Sequence, residues 1–170
     1  MKRPFSGLII FLFVLNIFGN TQYEEILKLK EKIIDLQNKG KLNFKDLTLC
    51  SKIISFGAYV PLQEPKIKRG GSLLVYYEPV NVFTNRKKGT YEIWYTQDLI
   101  LLDSKKKVIF KKEDALNFHY TFTSPVMDLY ATNSLELGNL PKGKYIYKIV
   151  LKDKLKDAIA VKEISFEIIE

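Results

Sequence analysis

Histidine occurs once, at His119, and cysteine once, at Cys50, so the nucleophilic and metal chemistry open to this chain is narrow. A single cysteine forms no internal disulfide or thiolate cage, and a single histidine supplies no multi-histidine metal site. His119 sits in the run Asn117-Phe118-His119-Tyr120. It would act as a general base only if folding brought it against a nucleophile and an orienting carboxylate, as a hydrolase requires. Cys50 shares its strand parity with Ile54, the pattern of a buried, inert thiol. Glu78, Asp98, Asp103, Asp128, Asp153 and Asp157 carry carboxylates of the kind a glycosidase sets about 5–9.5 Å apart, yet no spacing selects a pair. Asp153 and Asp157 bracket a turn where a calcium ion would need them and backbone carbonyls together, but Lys154 and Lys156 oppose a cation there.

Phosphate and nucleotide chemistry is equally poorly provided for. Arg69-Gly70-Gly71-Ser72 lacks the Lys-Ser/Thr of a phosphate loop and precedes a strand pattern, so it reads as a turn. No H-E-x-x-H, G-x-S-x-G or dinucleotide fingerprint is present. These absences point to a protein that is not an enzyme and holds no cofactor or metal.

Binding chemistry is better represented. Aromatic residues make up 13% of the chain, and Tyr76, Trp94 and Tyr130 would form a stacking platform for sugars or extended peptide if their strands adjoin. Trp94 has an alternative place in the core of a central strand. Basic residues cluster at Lys66, Lys68 and Arg69, at Arg86 to Lys88, at Lys105 to Lys107 and at Lys111 and Lys112. Two such turns at one end of the fold would hold anionic lipid or polysaccharide; spread out, they keep a β-protein soluble and block edge pairing. Nucleic acid is not an expected partner, because no nucleic-acid motif accompanies the charge.

The elements that must position these groups follow from the apolar pattern. The 170 residues, 46% hydrophobic and 27% charged with a formal charge of +8, suit one domain with an appendage and a real core. Lys2 and Arg3 precede an apolar stretch from Leu8 to Leu15 that continues through Ile17 and Phe18 to Gly19. A basic start, a short apolar segment and a small residue at its end predict a signal peptide over residues 1–19, and hence an exported, periplasmic or extracellular protein. An uncleaved signal would be the one route to membrane attachment. No cysteine follows the stretch, as a lipoprotein would need. Loss of Lys2 and Arg3 lowers the formal charge by two and leaves the protein basic.

Thr21 and Glu24 have capping-box spacing and predict a helix start just beyond the signal. Tyr23, Ile26, Leu27, Leu29, Ile33, Ile34 and Leu36 then occupy one half of a helical wheel, and Gly40 supplies a stop. Residues 20–43 are therefore an amphipathic helix and linker. Its apolar half is expected to dock on the domain, with self-association or capture of a partner as the alternative. Ile26, Leu29, Ile33 and Leu36 also have a/d spacing, although two heptads alone do not establish a coiled coil.

From residue 44 to 170 the period is two. Strands are predicted over 49–56, 73–83, 91–102, 107–111, 117–122, 127–137, 144–152 and 159–169, with turn residues between them. Asn133 interrupts the inward face of Met127, Leu129, Ala131, Leu135 and Leu137 and needs buried partners. Val161 opposes the parity of Ile164, Phe166 and Ile168, which predicts a bulge near Lys162. Pro79 predicts a local edge or bulge. Seven to eight strands with no helix between them make the fold mainly β, an antiparallel sandwich behind an N-terminal amphipathic helix and a signal peptide.

The run from Leu140 to Leu155, L-P-K-G-K-Y-I-Y-K-I-V-L-K-D-K-L, followed by K-E-I-S-F-E-I-I, resembles the closing hairpin of exported bacterial immunoglobulin-like or fibronectin type III-like domains. L-L-V-Y-Y-E-P-V-N-V-F and L-L-D-S-K-K-K-V-I-F are similar to earlier hairpins of that class, so the resemblance covers roughly Leu49 to the C-terminus. It implies an immunoglobulin-like sandwich acting as a non-enzymatic interaction or structural module. The expected partner is another envelope protein, met by strand edges, loops or the helix face, or alternatively a cell-wall polysaccharide met by the aromatics and basic turns.

Overall fold

The computed structural model describes residues 17–170, with side chains from Thr21 onward. Residues 1–16, and with them nearly all of the expected signal segment, lie outside the described residues. Among the described residues, no helix is long and apolar enough to cross a membrane.

One helix, α1 (Ile17–Lys39), precedes ten strands: β1 (Asn43–Ser55), β2 (Ala58–Pro61), β3 (Lys66–Lys68), β4 (Ser72–Val80), β5 (Thr84–Lys87), β6 (Thr90–Asp103), β7 (Val108–Phe122), β8 (Ala131–Glu136), β9 (Gly143–Asp153) and β10 (Ala158–Ile169). The protein is mainly β, as the period-two pattern predicts. The helix does not begin at a Thr21 cap. It is already formed at Ile17 and runs through Thr21, so the T-x-x-E spacing falls inside a helix that continuous backbone hydrogen bonding extends in the N-terminal direction.

The strands form two sheets. One has the order β2-β1-β4-β8; the other runs β3-β10-β9-β6-β5, with β7 also paired to β6. The long β6 pairs β5 and then β9 along one edge and β7 along the other. All pairings are antiparallel except β3 beside β10. Three short strands, β2, β3 and β5, have too few alternations to be visible in the sequence. The separate strands expected over 107–111 and 117–122 are one, β7, whose register shifts opposite Gln97 to Leu99 and whose Asp114 has a φ of 44°.

The sheets share one core. β9 buries Tyr145, Tyr147, Ile149 and Leu151 at every second residue, facing Leu73, Val75 and Tyr77 of β4. Asn133 finds its buried partner in Gln97: the two amides exchange hydrogen bonds of 3.0 and 3.2 Å, and the Tyr77 hydroxyl donates to the same Gln97 oxygen. A polar link thus joins β6 of one sheet to β4 and β8 of the other.

Two local expectations resolve differently. Pro79 pairs with Phe44 of β1 but lies beyond the last β8 partner of β4, Tyr77, so its missing N–H points where no strand asks for one. β10, in contrast, has no bulge. Its register against β9 is unbroken from Ala158 to Ile168, with Ala158, Ala160, Ile164, Phe166 and Ile168 inward, while Ile159 and Val161 project into solvent. Hydrophobicity at Val161 was a poor guide to direction because alanines fill the inward sites.

Leu151→Ala, at a fully buried site, is expected to cost about 2–5 kcal/mol. Val161→Thr should change stability by no more than about 0.5 kcal/mol. Urea unfolding of both variants checks the pair, and a cost at Val161 comparable to that at Leu151 would restore the bulge.

Candidate interaction face

The helix is tied to the domain chiefly by polar side chains. Asn38 makes a reciprocal pair with the Thr84 backbone, donating to its carbonyl at 2.9 Å and accepting from its N–H at 2.8 Å. Gln37 donates to the Met127 carbonyl at 3.2 Å, Glu31 accepts from the Tyr91 hydroxyl at 2.9 Å, and Asp35 accepts from Arg86 at 2.7 Å. Ile34, with 0% exposure, is the apolar peg among these contacts. At the C-terminal end the Lys156 ammonium donates to the carbonyls of Asn38 and Gly40, where a cation complements the helix dipole. Gly40 is required by proximity: a Cβ there would lie 2.4 Å from Asn81 Cγ, whose amide donates to the Lys41 carbonyl.

Glu31, Ile34, Asp35, Gln37 and Asn38 form the face turned to the domain, and Leu27, one turn earlier, is half-buried. The rest of the predicted apolar half points away from it. Tyr23, Ile26, Leu29, Ile33 and Leu36 are exposed, Leu36 to 68%. Ile26, Leu29, Ile33 and Leu36 therefore share one solvent-facing stripe at 3-4-3 spacing, the opposite of a helix that docks by its greasy side.

The three expected platform aromatics are not brought together. Tyr76 and Tyr130 meet on the outer side of the first sheet, their rings stacked at 5.9 Å, but Trp94 belongs to β6 of the other sheet. Nor is Tyr76 exposed. It has the outward parity expected, yet Tyr59 of the unforeseen β2 stacks on it at 4.3 Å and leaves it 0% exposed. Its hydroxyl accepts from the Gly57 N–H at 2.8 Å and donates to Glu78 at 2.7 Å, which pins the β1–β2 turn to the sheet. Burial is the main force pushing the Tyr76 phenol up to about 12. The exposed rings of this cluster, Phe56 and Tyr130, meet edge-on at 62°, not side by side as a flat sugar would need.

Trp94 is half-buried on the outer face of the second sheet, not in the core; inward positions belong to Ile93 and Tyr95. It stacks on His119 at 4.4 Å, and His119 Nε2 lies 2.9 Å from Glu92 Oε1. Hydrogen bonds from His119 and Asn85 hold the Glu92 carboxyl below the usual range. Two of the basic turns, Arg86 to Lys88 and Lys105 to Lys107, flank opposite ends of β6, so they form no common patch. Asp153 is consumed by backbone groups, accepting from Phe83, Leu155 and Lys156 N–H at 2.6, 3.0 and 3.0 Å. Cys50 is buried, and burial pushes its thiol up. No group of acidic, histidine and cysteine side chains suited to a metal occurs among the described residues.

No protein-family model matches the chain, and no curated protein does. Among solved structures it is similar to the Pseudomonas fluorescens alkylpurine DNA glycosylase AlkC bound to DNA containing an abasic site analog, with a TM-score of 0.42 and 7% identity over 86% of this chain and 36% of that one. It is also similar to a beta-glucosidase from Listeria innocua, with a TM-score of 0.40 and 13% identity over 75% of this chain and 16% of that one. A mutant of that enzyme in complex with laminaribiose gives 0.39 and 13% over 76% and 16%. The chain thus spans about a third or less of these proteins, and likeness at this level carries no functional argument.

Two tests follow from this geometry. Asn38→Ala removes both bonds to Thr84 and leaves its backbone groups unpaired, so amide exchange in residues 34–39 should accelerate about tenfold or more. Unchanged exchange would mean the polar face does not hold the helix. The second test concerns acid stability. Burial raises the Glu78 and Asp98 carboxyls, but hydrogen bonds and charge from Tyr76 and Lys45, and from Lys152 and the Asp114 N–H, outweigh it and hold both below their ordinary 4.5 and 3.8. A carboxyl with a lower value folded than unfolded stabilises fully above the ordinary value and loses that contribution as pH falls. The urea midpoint should therefore drop below about pH 4.5, and Glu78→Gln with Asp98→Asn should flatten the drop; an identical slope in the double variant would refute the assignment.

Proposed function

We propose that this chain is a non-enzymatic exported interaction or structural module of the bacterial envelope, an immunoglobulin-like sandwich that holds one helix with its apolar stripe toward a partner. The observation that carries the reading is the stripe itself: Ile26, Leu29, Ile33 and Leu36 exposed on a helix whose opposite side is fastened by hydrogen bonds. Monomeric proteins rarely leave such a contiguous apolar strip to water without a use for it.

The immunoglobulin-like part is supported by strand order. β1-β4-β8 opposite β10-β9-β6-β7 corresponds to strands A-B-E opposite G-F-C-C′ of that class. Tyr145, at the start of β9, donates its hydroxyl to the Pro141 carbonyl at 2.7 Å, the arrangement of a tyrosine corner before strand F. The chain departs from antibody domains in lacking a disulfide and in turning Trp94 outward. Export rests on Lys2, Arg3 and the apolar stretch to Gly19. Cleavage after Gly19 would shorten α1 by its first residues and leave the stripe whole. The engagement of His119 with Trp94 and Glu92, and the burial of Cys50, support a non-catalytic role.

Photo-crosslinking in cells producing the full chain tests the reading. A crosslinker at position 36 should give adducts that one at position 104, in the exposed β6–β7 turn, does not, and osmotic shock should release protein lacking residues 1–19. Equal silence at both positions would overturn the interaction role, and retention in the cytoplasm with Met1 intact would overturn export.

A further inference from the structure

We infer that the partner of this stripe is a second copy of the chain, joined through α1 as a parallel two-stranded helix pair; the inference rests on the proposed interaction role. Assigning Ile26 to heptad position a puts Ile33 at a and Leu29 and Leu36 at d. Isoleucine at a with leucine at d is the combination that favours parallel dimers, because the β-branched side chain fits the a layer of two strands and leucine fits the d layer.

The flanking charges select the same orientation. Glu25 falls at g and Lys30 at the following e, the positions that face each other across a parallel pair, so the dimer gains this attraction twice. The next such pair, Lys32 with Gln37, is neutral to charge. An antiparallel pair with the same four apolar layers would set Lys30 against Lys30 and Lys32 against Lys32, repulsions that its two Glu25–Lys39 pairs only offset, so the parallel pair keeps the net attraction. Among the described residues no ion pair engages Glu25 or Lys30 within one copy, and Glu25 is exposed.

The geometry of docking leaves room for this partner. Of the residues that hold the domain, Glu31, Ile34, Asp35 and Asn38 occupy positions f, b, c and f, away from the a/d seam, and Gln37, at e, reaches the Met127 carbonyl from the border of that seam. The two sandwiches therefore hang on the outside of the pair. Two heptads would be marginal for free peptides, which must also form their helices. Here the bonds to Thr84, Tyr91 and Arg86 hold residues 31–38 on the domain, so association bears less of that cost in the second heptad.

Sedimentation equilibrium of the full chain as recovered from producing cells, from about 1 to about 200 µM, should show a monomer–dimer equilibrium. Leu29→Glu should abolish it with an unchanged circular dichroism spectrum. Glu25→Lys should weaken it about fivefold or more, and adding Lys30→Glu should restore it, since the swapped charges again attract. Leu36→Cys should form a self-disulfide under copper–phenanthroline oxidation, which an antiparallel pair forbids. A monomer throughout the range, failure of the charge swap to restore, or crosslinking of position 36 only to position 26 would overturn the inference. Position 36 adducts containing a different protein would overturn it while leaving the interaction role standing, whereas no adducts at all would remove both.

Discussion

The attachment of α1 through Asn38, Glu31, Asp35 and Gln37 is the constraint from which the orientation of the helix and its apolar stripe follows. Hydrogen bonds to the Thr84 backbone have fixed directions, so they set the rotation of the helix about its axis, which a greasy contact would leave looser. Once Ile34 and Asn38 face the domain, helical periodicity obliges Ile26, Leu29, Ile33 and Leu36 to face elsewhere. Close approach of Gly40 to Asn81 fixes the end of the helix, and Lys156 neutralises its last carbonyls.

The platform beneath the helix is made stiff by polar groups in an apolar interior. The Gln97–Asn133 pair and the Tyr77 hydroxyl tie the two sheets in one register, because any slip would strand buried amides. The hydroxyls of Tyr95, Tyr147 and Thr96 have no hydrogen-bond partner among the described residues. Each such group costs about 1–3 kcal/mol, offset for the tyrosines by large buried rings. Burial holds the phenols of Tyr95 and Tyr147 far above their ordinary range, so the interior carries no charge there.

Much of the β-structure was legible in the sequence because alternation is a local property. Tyr145, Tyr147, Ile149 and Leu151 announce the inward face of β9, and Asn133 announces the need for a polar partner, though not that the partner is Gln97. What failed to show depended on neighbours far along the chain. Val161 looks like a core residue until β9 is seen to keep register past it, and Tyr76 looks exposed until Tyr59 covers it. The helix illustrates the same limit. Its wheel reveals an apolar half, but whether that half meets the domain is decided by Thr84, Arg86 and Tyr91, residues whose own types say nothing about a helix. A local signal was overridden as well: Thr21 and Glu24 spell a cap that the longer helix absorbs.

The reach of Lys156 to the carbonyls of Asn38 and Gly40 orders events in time. A chain made from its N-terminus presents the helix before the β9–β10 hairpin, and domains settle as units once enough of them has emerged. This clasp on the helix therefore closes only when the β9–β10 hairpin is in place. A chain that ends before Lys156 lacks that clasp, so the aim of the helix depends on a hairpin more than a hundred residues away along the chain.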